Sequence, residues 1–480
     1  KQYLEQLGKD ACQTIMENNK ANMEFLHAEA ENSEPVNKLD IDDPVIIGRS
    51  ANIKEQIVKI ADLTAYYGKV ALEGKVISTD SRELKNELIN MRRTIHENPE
   101  VGRDLPKTRE FIMEKLKEFG YEPELVAGMG VIAYAGGKKP GKTFLLRADM
   151  DALPIKEEAE NNFKSDNGNM HACGHDMHSA MLLGAAKILK KYEDQIDGTI
   201  KLLFQPDEEG FTGAKSMIEA GVLENPKVDA AMALHVYSNM PSDVIVYGIG
   251  TSISSCIKFR ITAKGVGCHG AMPERGVDPI NIAAHIYLAI QEITTREIEA
   301  TEPVVMTIGK FVGGKTPNVI PEDVVMEGTI RALSENAGRT AFERMKEISE
   351  NIARAFRGSA TVEELASAPP LTNDKELSDE LSGYAKELFG DEEKVLGIKG
   401  GGMGSEDFAA IASKVPSVYF ILGAGTKEEN PNYGYPMHHQ CVQFNEDILV
   451  KGAAMLSYAS IKWLKDNSTN YKIDYTINEI

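Results

Sequence analysis

The central part of the sequence contains three continuous apolar runs, TFLLR at 143–147, TIKLLF at 199–204 and AAMALHV at 230–236. Two segments with the apolar spacing of helices lie between them, at 177–192 and 213–220. Strands without polar alternation are typical of a sheet that is covered by helices on both faces. The alternation of strand and helix therefore predicts an α/β fold with a sheet between two helical layers.

A different pattern begins near residue 251. The strand CIKFRITAKG is followed by a helix at 279–297, two strands, a helix at 338–356 and a last strand near Ala360. This β-α-β-β-α-β order predicts a ferredoxin-like α+β unit. The doubly covered pattern resumes after Pro369, so the second unit is inserted in the first. The predicted organisation is an extension at 1–84, a first domain at 85–250 and 366–466, an inserted domain at 251–365 and a polar tail at 467–480.

Composition narrows the class of protein. Of the 480 residues, 42% are hydrophobic, which supplies a sizeable core, and 73 acidic against 53 basic residues give a net charge of -20. Such a charge repels polyanions, so small molecules are expected as ligands and nucleic acid is not. No apolar run reaches the roughly 18 residues that span a bilayer. Five widely spaced cysteines, an odd number, predict a reducing and therefore cytoplasmic location.

Side chains that bind metals cluster at the ends of the predicted strands. The string MHACGHDMH at 170–178 holds three of the ten histidines, QPDEEG follows the run at 199–204, and His235 lies at the end of the next run. Thiolate, imidazole and carboxylate are zinc ligands. Because ligands bind beyond the carboxyl ends of strands in open α/β sheets, one rim is expected to carry these side chains. Its predicted members are Cys173, His175, Glu208, Glu209 and His235.

The adjacent carboxylates Glu208 and Glu209 suggest metal-assisted hydrolysis. One can coordinate a metal while the other accepts a proton from a water whose pKa the metal lowers. The competing interpretation is a Cys173 nucleophile with a histidine base. That alternative leaves both carboxylates and His235 without a role.

Four motifs, RADMDALPI, MHACGHDMHSAMLLGAAKIL, FQPDEEG and GCHGAMPERGVDPINIA, occur in this order within about residues 81–464. Together they resemble the metal-dependent amidohydrolases of the aminoacylase, hippurate hydrolase and indole-acetyl-amino-acid hydrolase type, which are relatives of zinc carboxypeptidases. The resemblance implies a zinc-peptidase-like α/β/α catalytic domain with an inserted ferredoxin-like lid that also serves dimerisation. It further implies cleavage of the amide bond of N-acyl amino acids, one or two divalent ions (Zn, Mn or Co) and a homodimer.

The same resemblance assigns roles to individual residues. Glu208 is expected to be the general base, and His269 of GCHGAMP is expected to stabilise the oxyanion. Asn318, Arg331 and Gly402 are expected to bind substrate, and Asp149 and Asp151 to orient metal ligands as hydrogen-bond acceptors. The implied metal ligands are Cys173, His175, Glu209, His235 and a late histidine, which is His438 with His439 as the alternative.

Two departures from the family pattern carry expectations of their own. Asp207 stands where relatives have alanine, and is expected to affect metal preference or the pKa of Glu208. Arg147 stands where carboxypeptidase-like relatives have a metal histidine, which favours the amidohydrolase branch.

Two alternative functions remain open. The nearest is a dipeptidase or a carboxypeptidase-like metallopeptidase. The other, of a different class, is a binding or nucleic-acid-associated fusion that acts through the N-terminal arm, since residues 43–84 weakly resemble a segment of the Gram-positive replicative DNA polymerase. An oligonucleotide shift by residues 1–84 alone would favour this second alternative.

Overall fold

The computed structural model describes residues 70–72, 75–77 and 81–468. In the predicted N-terminal extension it describes a short antiparallel hairpin of β1 (Val70–Leu72) and β2 (Lys75–Ile77), and the first residues of a helix. The rest of that extension, with the proposed nucleic-acid function, lies outside the described residues, as do residues 469–480 of the predicted tail.

The remaining elements alternate between helix and strand over most of the chain. The helices are α1 (Ser81–His96), α2 (Pro106–Glu118), α3 (His175–Lys191), α4 (Gly213–Glu219), α5 (Pro279–Ala289), α6 (Glu335–Ala355), α7 (Lys375–Phe389), α8 (Phe408–Ala412) and α9 (Leu449–Asp466). The strands are β3 (Glu124–Val126), β4 (Gly130–Gly136), β5 (Thr143–Asp149), β6 (Thr199–Gln205), β7 (Ala230–Tyr237), β8 (Ile245–Ile249), β9 (Thr251–Ile253), β10 (Ser255–Lys264), β11 (Cys268–His269), β12 (Val304–Gly313), β13 (Val319–Ile320), β14 (Asp323–Ala332), β15 (Ser359–Ala368), β16 (Leu371–Thr372), β17 (Val395–Lys399) and β18 (Ser417–Gly423).

One sheet has eight strands in the order β17-β8-β18-β7-β5-β6-β4-β3. At its centre β5 runs parallel to both β6 and β7, which aligns the carboxyl ends of the three strands. Successive side chains of β5 are fully buried on opposite faces, with Phe144 and Leu146 packed in one core and Leu145 in another. Helices α1, α2, α3 and α9 cover the first face, and α4 and α8 cover the second. The predicted α/β class is thereby confirmed, and we call this part the eight-stranded domain.

A second, antiparallel sheet has the order β12-β14-β10-β15, which is the strand order of a ferredoxin-like unit. Helices α5 and α6 pack on one face through residues such as Ile282, Ile286 and Met345. We call this part the four-stranded domain. The helix predicted over 279–297 is present in two parts, α5, which ends at Ala289, and a π-helix at Ile293–Glu297. Thr295 donates its hydroxyl to Gln291 O, a bond typical of bent or ending helices.

The chain passes between the two domains through β9 and back through β16, and these two short strands pair with each other. The domain boundaries drawn from the sequence stay predictions. In the described part of the chain, no helix is both long enough and apolar enough to cross a membrane.

Candidate active site

Six side chains meet at the carboxyl end of β5, β6 and β7. Glu208 and Glu209 follow β6, His235 lies near the end of β7, and Cys173 and His175 flank the start of α3. A late loop after β18 adds the sixth side chain. We call this set the rim group: Cys173, His175, Glu208, Glu209, His235 and His438.

Cys173 belongs to two ligand sets within the rim group. Its thiol lies with His175 and His235 in one set and with Glu209 and His438 in the other, and the ligand atoms of each set lie within 4.8 Å of one another. The Cys173 sulfur is 3.6 Å from His235 Nε2, and His438 Nε2 is 3.2 Å from Glu209 Oε1. A thiol shared between two sets can bridge two metal ions.

The orientation of the histidine rings fits metal ligation. His175 Nδ1 lies 2.9 Å from Asp151 O, and His235 Nδ1 lies 2.5 Å from Val236 O. Each carbonyl accepts the ring N–H, which leaves Nε2 as a free lone pair directed into the group. His175 Nε2 is buried without a hydrogen-bond partner. Leaving it unpaired costs free energy, and a coordinated cation would remove that cost.

The pKa values of the rim-group side chains indicate which protons a binding metal ion replaces. Hydrogen bonds with Cys173 and Glu209 raise the pKa of His438 to about 10. Burial raises the pKa of the Cys173 thiol. Burial, with His178 beside it, lowers the pKa of His235 well below its usual range and keeps that ring neutral. Against the effect of burial, Asp149 and Cys173 raise the pKa of His175 well above its usual range. A divalent ion must therefore displace protons from Cys173, His175 and His438 when it binds.

Glu208 is placed as a proton acceptor. It is buried, and that burial together with the carboxylates Glu406 and Glu209 raises its pKa well above the usual range. Both oxygens of Asp151 hold the loop beneath it, accepting the backbone N–H of Glu208 at 3.1 Å and of Glu209 at 3.2 Å. Two adjacent carboxylates thus differ, since the His438 hydrogen bond lowers the pKa of Glu209 against the effect of burial.

Two acids that the sequence reasoning did not select lie beside Glu208. Glu406 and Asp407 are buried and bind Arg147 Nη2 at 2.9 and 2.8 Å, while Arg147 Nη1 binds Asp149 Oδ2 at 2.6 Å. The positive charge of Arg147 thus pairs with three acids near Glu208, namely Asp149, Glu406 and Asp407. The signal was available, because these acids directly precede the apolar segment of α8 and follow a glycine run.

His178 is a further residue that was not predicted from the sequence. Val236 N donates to His178 Nε2 at 2.8 Å, so Nε2 is an acceptor, and Nδ1–H is directed to Asp149 Oδ1 at 2.5 Å. Both ring nitrogens are therefore engaged, and the ring lies 4.2 Å from that of His235. His178 supports the strand end that carries His235.

A network of buried charged side chains stabilises the first turn of α3. Asp176 Oδ2 accepts from Arg92 Nε at 2.6 Å and lies 2.8 Å from His96 Nδ1. Burial alone would raise the pKa of Asp176, but Arg92 and His96 lower it strongly. Because Asp176 adjoins His175, this network fixes the backbone that carries a member of the rim group.

The structure shows where the residues lie whose roles the sequence did not decide. His438 lies beside Glu209, whereas the ring of His439 stacks on Tyr435 at 4.6 Å. Asp207 accepts a hydrogen bond from the Thr212 hydroxyl and is not among the rim group's ligand sets.

Two cations of the four-stranded domain reach the eight-stranded domain. Arg331 Nη1 donates to Met403 O and to Ser405 Oγ, each at 3.0 Å. Lys258, which was not predicted, donates to the backbone oxygen of Glu209 at 2.7 Å. Gly402 lies at the junction, where its N–H donates to Ser252 O at 3.0 Å.

His269 and Asn318 lie together at an exposed tip of the four-stranded domain. His269 pairs with Val319 across β11 and β13, and its Nδ1 accepts from Ala271 N at 3.0 Å. Asn318 O accepts from Gly270 N at 2.8 Å. Within residues 81–468, neither side chain forms a hydrogen bond or ion pair with the rim group. The structure thus does not bring these two predicted residues to it.

Comparison with known proteins identifies the family to which the chain is similar. The model of peptidase family M20/M25/M40 matches residues 145–461. Thermostable carboxypeptidase 2 of Saccharolobus solfataricus is 39% identical over 81% of this chain and 98% of its own length. Hippurate hydrolase of Campylobacter jejuni is 36% identical over 80% and 98%. A solved structure, the YXEP protein of Bacillus subtilis, described as a dinuclear metal-binding peptidase of family M20, matches with a TM-score of 0.66 at 30% identity over 80% and 99%.

Proposed function

The chain belongs to peptidase family M20/M25/M40, and we propose that it is a metal-dependent amidohydrolase that cleaves N-acyl amino acids into a carboxylic acid and a free amino acid. The observation that carries this proposal is the convergence of the rim group, in which the Cys173 thiol belongs to two ligand sets. A relative at 36% identity named hippurate hydrolase supports the substrate class.

In this proposal, Cys173, His175, Glu209, His235 and His438 would hold one or two divalent ions. When bound, such ions lower the pKa of water and polarise the substrate carbonyl. Glu208 takes the proton from the attacking water and then delivers it to the leaving amine nitrogen. Burial and the neighbouring carboxylates raise the pKa of Glu208, and a raised pKa makes it a stronger acceptor for the proton of water. Asp149 and Asp151 orient the ligands as hydrogen-bond acceptors. Zinc suits a thiolate ligand, and manganese or cobalt also fits the mixed donor set.

The four-stranded domain would act as a lid that binds the rest of the substrate. We assign the substrate carboxylate to Arg331, since a guanidinium donates two parallel hydrogen bonds to it. Gly402 lines the site with its backbone, Asn318 binds the carbonyl, and His269 stabilises the oxyanion. The roles of Asn318 and His269 require the exposed tip that carries them to lie close to a rim group.

We propose a homodimer in which a second copy supplies that tip. Support comes from β12, an edge strand of the four-stranded domain with exposed Phe311 and Val312, and from α5, where Leu288 is 69% exposed. Unpaired strand edges and exposed apolar side chains are features of protein interfaces. A cytoplasmic location is a further proposal, which rests on the cysteine content of the sequence.

A carboxypeptidase is the second candidate, because a relative named thermostable carboxypeptidase 2 is 39% identical. Both activities cleave an amide next to an amino acid with a free carboxylate and differ only in the acyl side.

A substrate panel tests the proposal. The protein, loaded with zinc, manganese or cobalt, is assayed on N-acetyl and N-benzoyl amino acids and on dipeptides and tripeptides with free amines. We expect hydrolysis of the N-acylated compounds. Hydrolysis of the peptides alone would favour the second candidate, and hydrolysis of neither group would contradict both.

A further inference from the structure

Arg331 contacts the eight-stranded domain through one nitrogen only. Nη1 donates to Met403 O and Ser405 Oγ, and within the described residues Nε and Nη2 have no hydrogen-bond partner. Nε–H and the adjacent Nη2–H lie on the same edge of the planar guanidinium, which is an edge that binds a carboxylate with two parallel bonds. The protein thus anchors one corner of Arg331 and leaves that edge available.

Ser405 is itself fixed as an acceptor for Arg331. Its hydroxyl donates to Ser255 O at 3.3 Å, so its lone pairs are free to accept from Arg331 Nη1. The neighbouring backbone is held by Ser254, whose N–H donates to Gly402 O and Gly404 O and whose hydroxyl donates to Gly404 O at 2.8 Å. The Met403 carbonyl is therefore also fixed in place.

The same run of backbone reaches the proposed general base. Ser405 is followed directly by Glu406 and Asp407, and Asp407 N lies 3.4 Å from Glu208 Oε1. Both acids are tied to Arg147. One short segment consequently sets the positions of Arg331 and of Glu208 relative to each other.

We propose that Ser405 is a positioning residue that orients Arg331 and thereby makes the enzyme select substrates with a free carboxylate next to the scissile amide. This inference rests on the proposed function. Ser405 does not touch the reacting atoms. It restricts the guanidinium to the orientation in which the Nε and Nη2 edge meets the carboxylate.

The test compares an N-benzoyl amino acid with its carboxamide in metal-loaded full-length protein. Ser405→Ala is expected to raise KM for the acid about three- to tenfold, the value of one positioning hydrogen bond, with kcat nearly unchanged. The carboxamide, measured by kcat/KM or by its inhibition constant when turnover is too slow, is expected to be unaffected. The preference for the acid therefore falls by the same factor.

Two variants separate orientation from general structure. Ser405→Thr keeps the hydroxyl and is expected to retain the preference for the acid. Ser413→Ala removes a hydroxyl at the end of α8 that donates to Ala410 O, away from Arg331 and Ser405, so it is expected to leave the preference for the acid unchanged. Thermal unfolding and metal content verify that each variant is folded and loaded.

An unchanged preference in folded Ser405→Ala protein, or an equal loss for acid and carboxamide, would overturn the inference while the proposed function stands. A wild-type protein that hydrolyses neither compound nor any other N-acyl amino acid would overturn the proposed function and this inference with it. The two failures are therefore distinguishable.

Discussion

The rim group and the exposed tip of the four-stranded domain differ in how completely a single chain builds them. Glu208, His175 and His235 are held by strand ends, backbone carbonyls and buried carboxylates, so that each side chain has one orientation. Within residues 81–468, His269 and Asn318 form their hydrogen bonds inside the exposed tip, where their two segments pair with each other. The contrast supports the proposal that a single chain holds the metal and that a second copy supplies the tip for transition-state stabilisation.

The largest expected effect lies in the fixed region. Glu208→Gln removes the proton acceptor while keeping the shape of the side chain, and kcat is expected to fall about 10²- to 10⁴-fold. Metal content, measured by mass spectrometry, is expected to stay at the wild-type value. The matched control is Asp207→Asn, because this neighbouring acid has a φ of 58°, which asparagine tolerates, and its carboxylate accepts from the Thr212 hydroxyl. Equal losses in the two variants would refute the role of Glu208.

The next effect concerns the tip. His269→Ala is expected to lower kcat about 10²-fold, with metal and fold retained, since one oxyanion donor is lost. Mixing His269→Ala with Glu208→Gln protein tests where His269 comes from. If the partner supplies it, random subunit exchange regenerates one intact site in each mixed dimer and restores about a quarter of the wild-type activity. No recovery after demonstrated exchange would assign His269 to its own chain.

A third prediction concerns stability beneath the rim group. Asp176→Asn removes the fully buried counter-charge of Arg92 and leaves it only the longer ion pair with Glu446, so it is expected to destabilise the fold by about 3 kcal/mol, measured by denaturant unfolding. The control Glu297→Gln, in a surface ion pair with Arg344, is expected to leave stability unchanged.

This contribution has a defined pH dependence. Because the folded-state pKa of Asp176 is lower than its unfolded value, its stabilisation is complete above about pH 4 and is lost as the pH falls below that. The difference in stability between wild type and Asp176→Asn is therefore expected to shrink in acid. A further part, which comes from the pKa of His96 that Asp176 helps to raise, is lost as the pH rises above about 6.5. A difference that grew as the pH fell below about 4 would contradict the described network.

The smallest effect is expected where the two domains touch. Lys258→Met removes the hydrogen bond to Glu209 O while keeping an apolar stem over Phe211, so kcat/KM is expected to fall about threefold. Lys264→Met, at the exposed end of the same strand, serves as the control. A loss of metal in Lys258→Met would show that the domain contact fixes the ligand and not only the lid.

The sequence predicted the parts of the molecule that follow from local pattern. Apolar runs such as TFLLR gave the buried strands, and strand ends gave the positions of Glu208, Glu209 and His235, because parallel strands share an edge. The pairing of Arg147 with Asp407 could not be predicted, since 260 residues separate them and only the folded sheet brings them together. The contact of Lys258 with Glu209 O could not be predicted either, because it joins two domains. The change from α-helix to π-helix after Ala289 was likewise not predictable, because the apolar pattern does not mark hydroxyl bonds such as that of Thr295 to Gln291 O.

The most direct test of the account is metal dependence of a single reaction. Protein depleted of metal by a chelator, with content verified by mass spectrometry, is assayed on an N-acyl amino acid before and after zinc, manganese or cobalt is added. Hydrolysis is expected to disappear on depletion and to return with one or two ions bound per chain. Undiminished hydrolysis by metal-free protein would contradict a metal-dependent reaction.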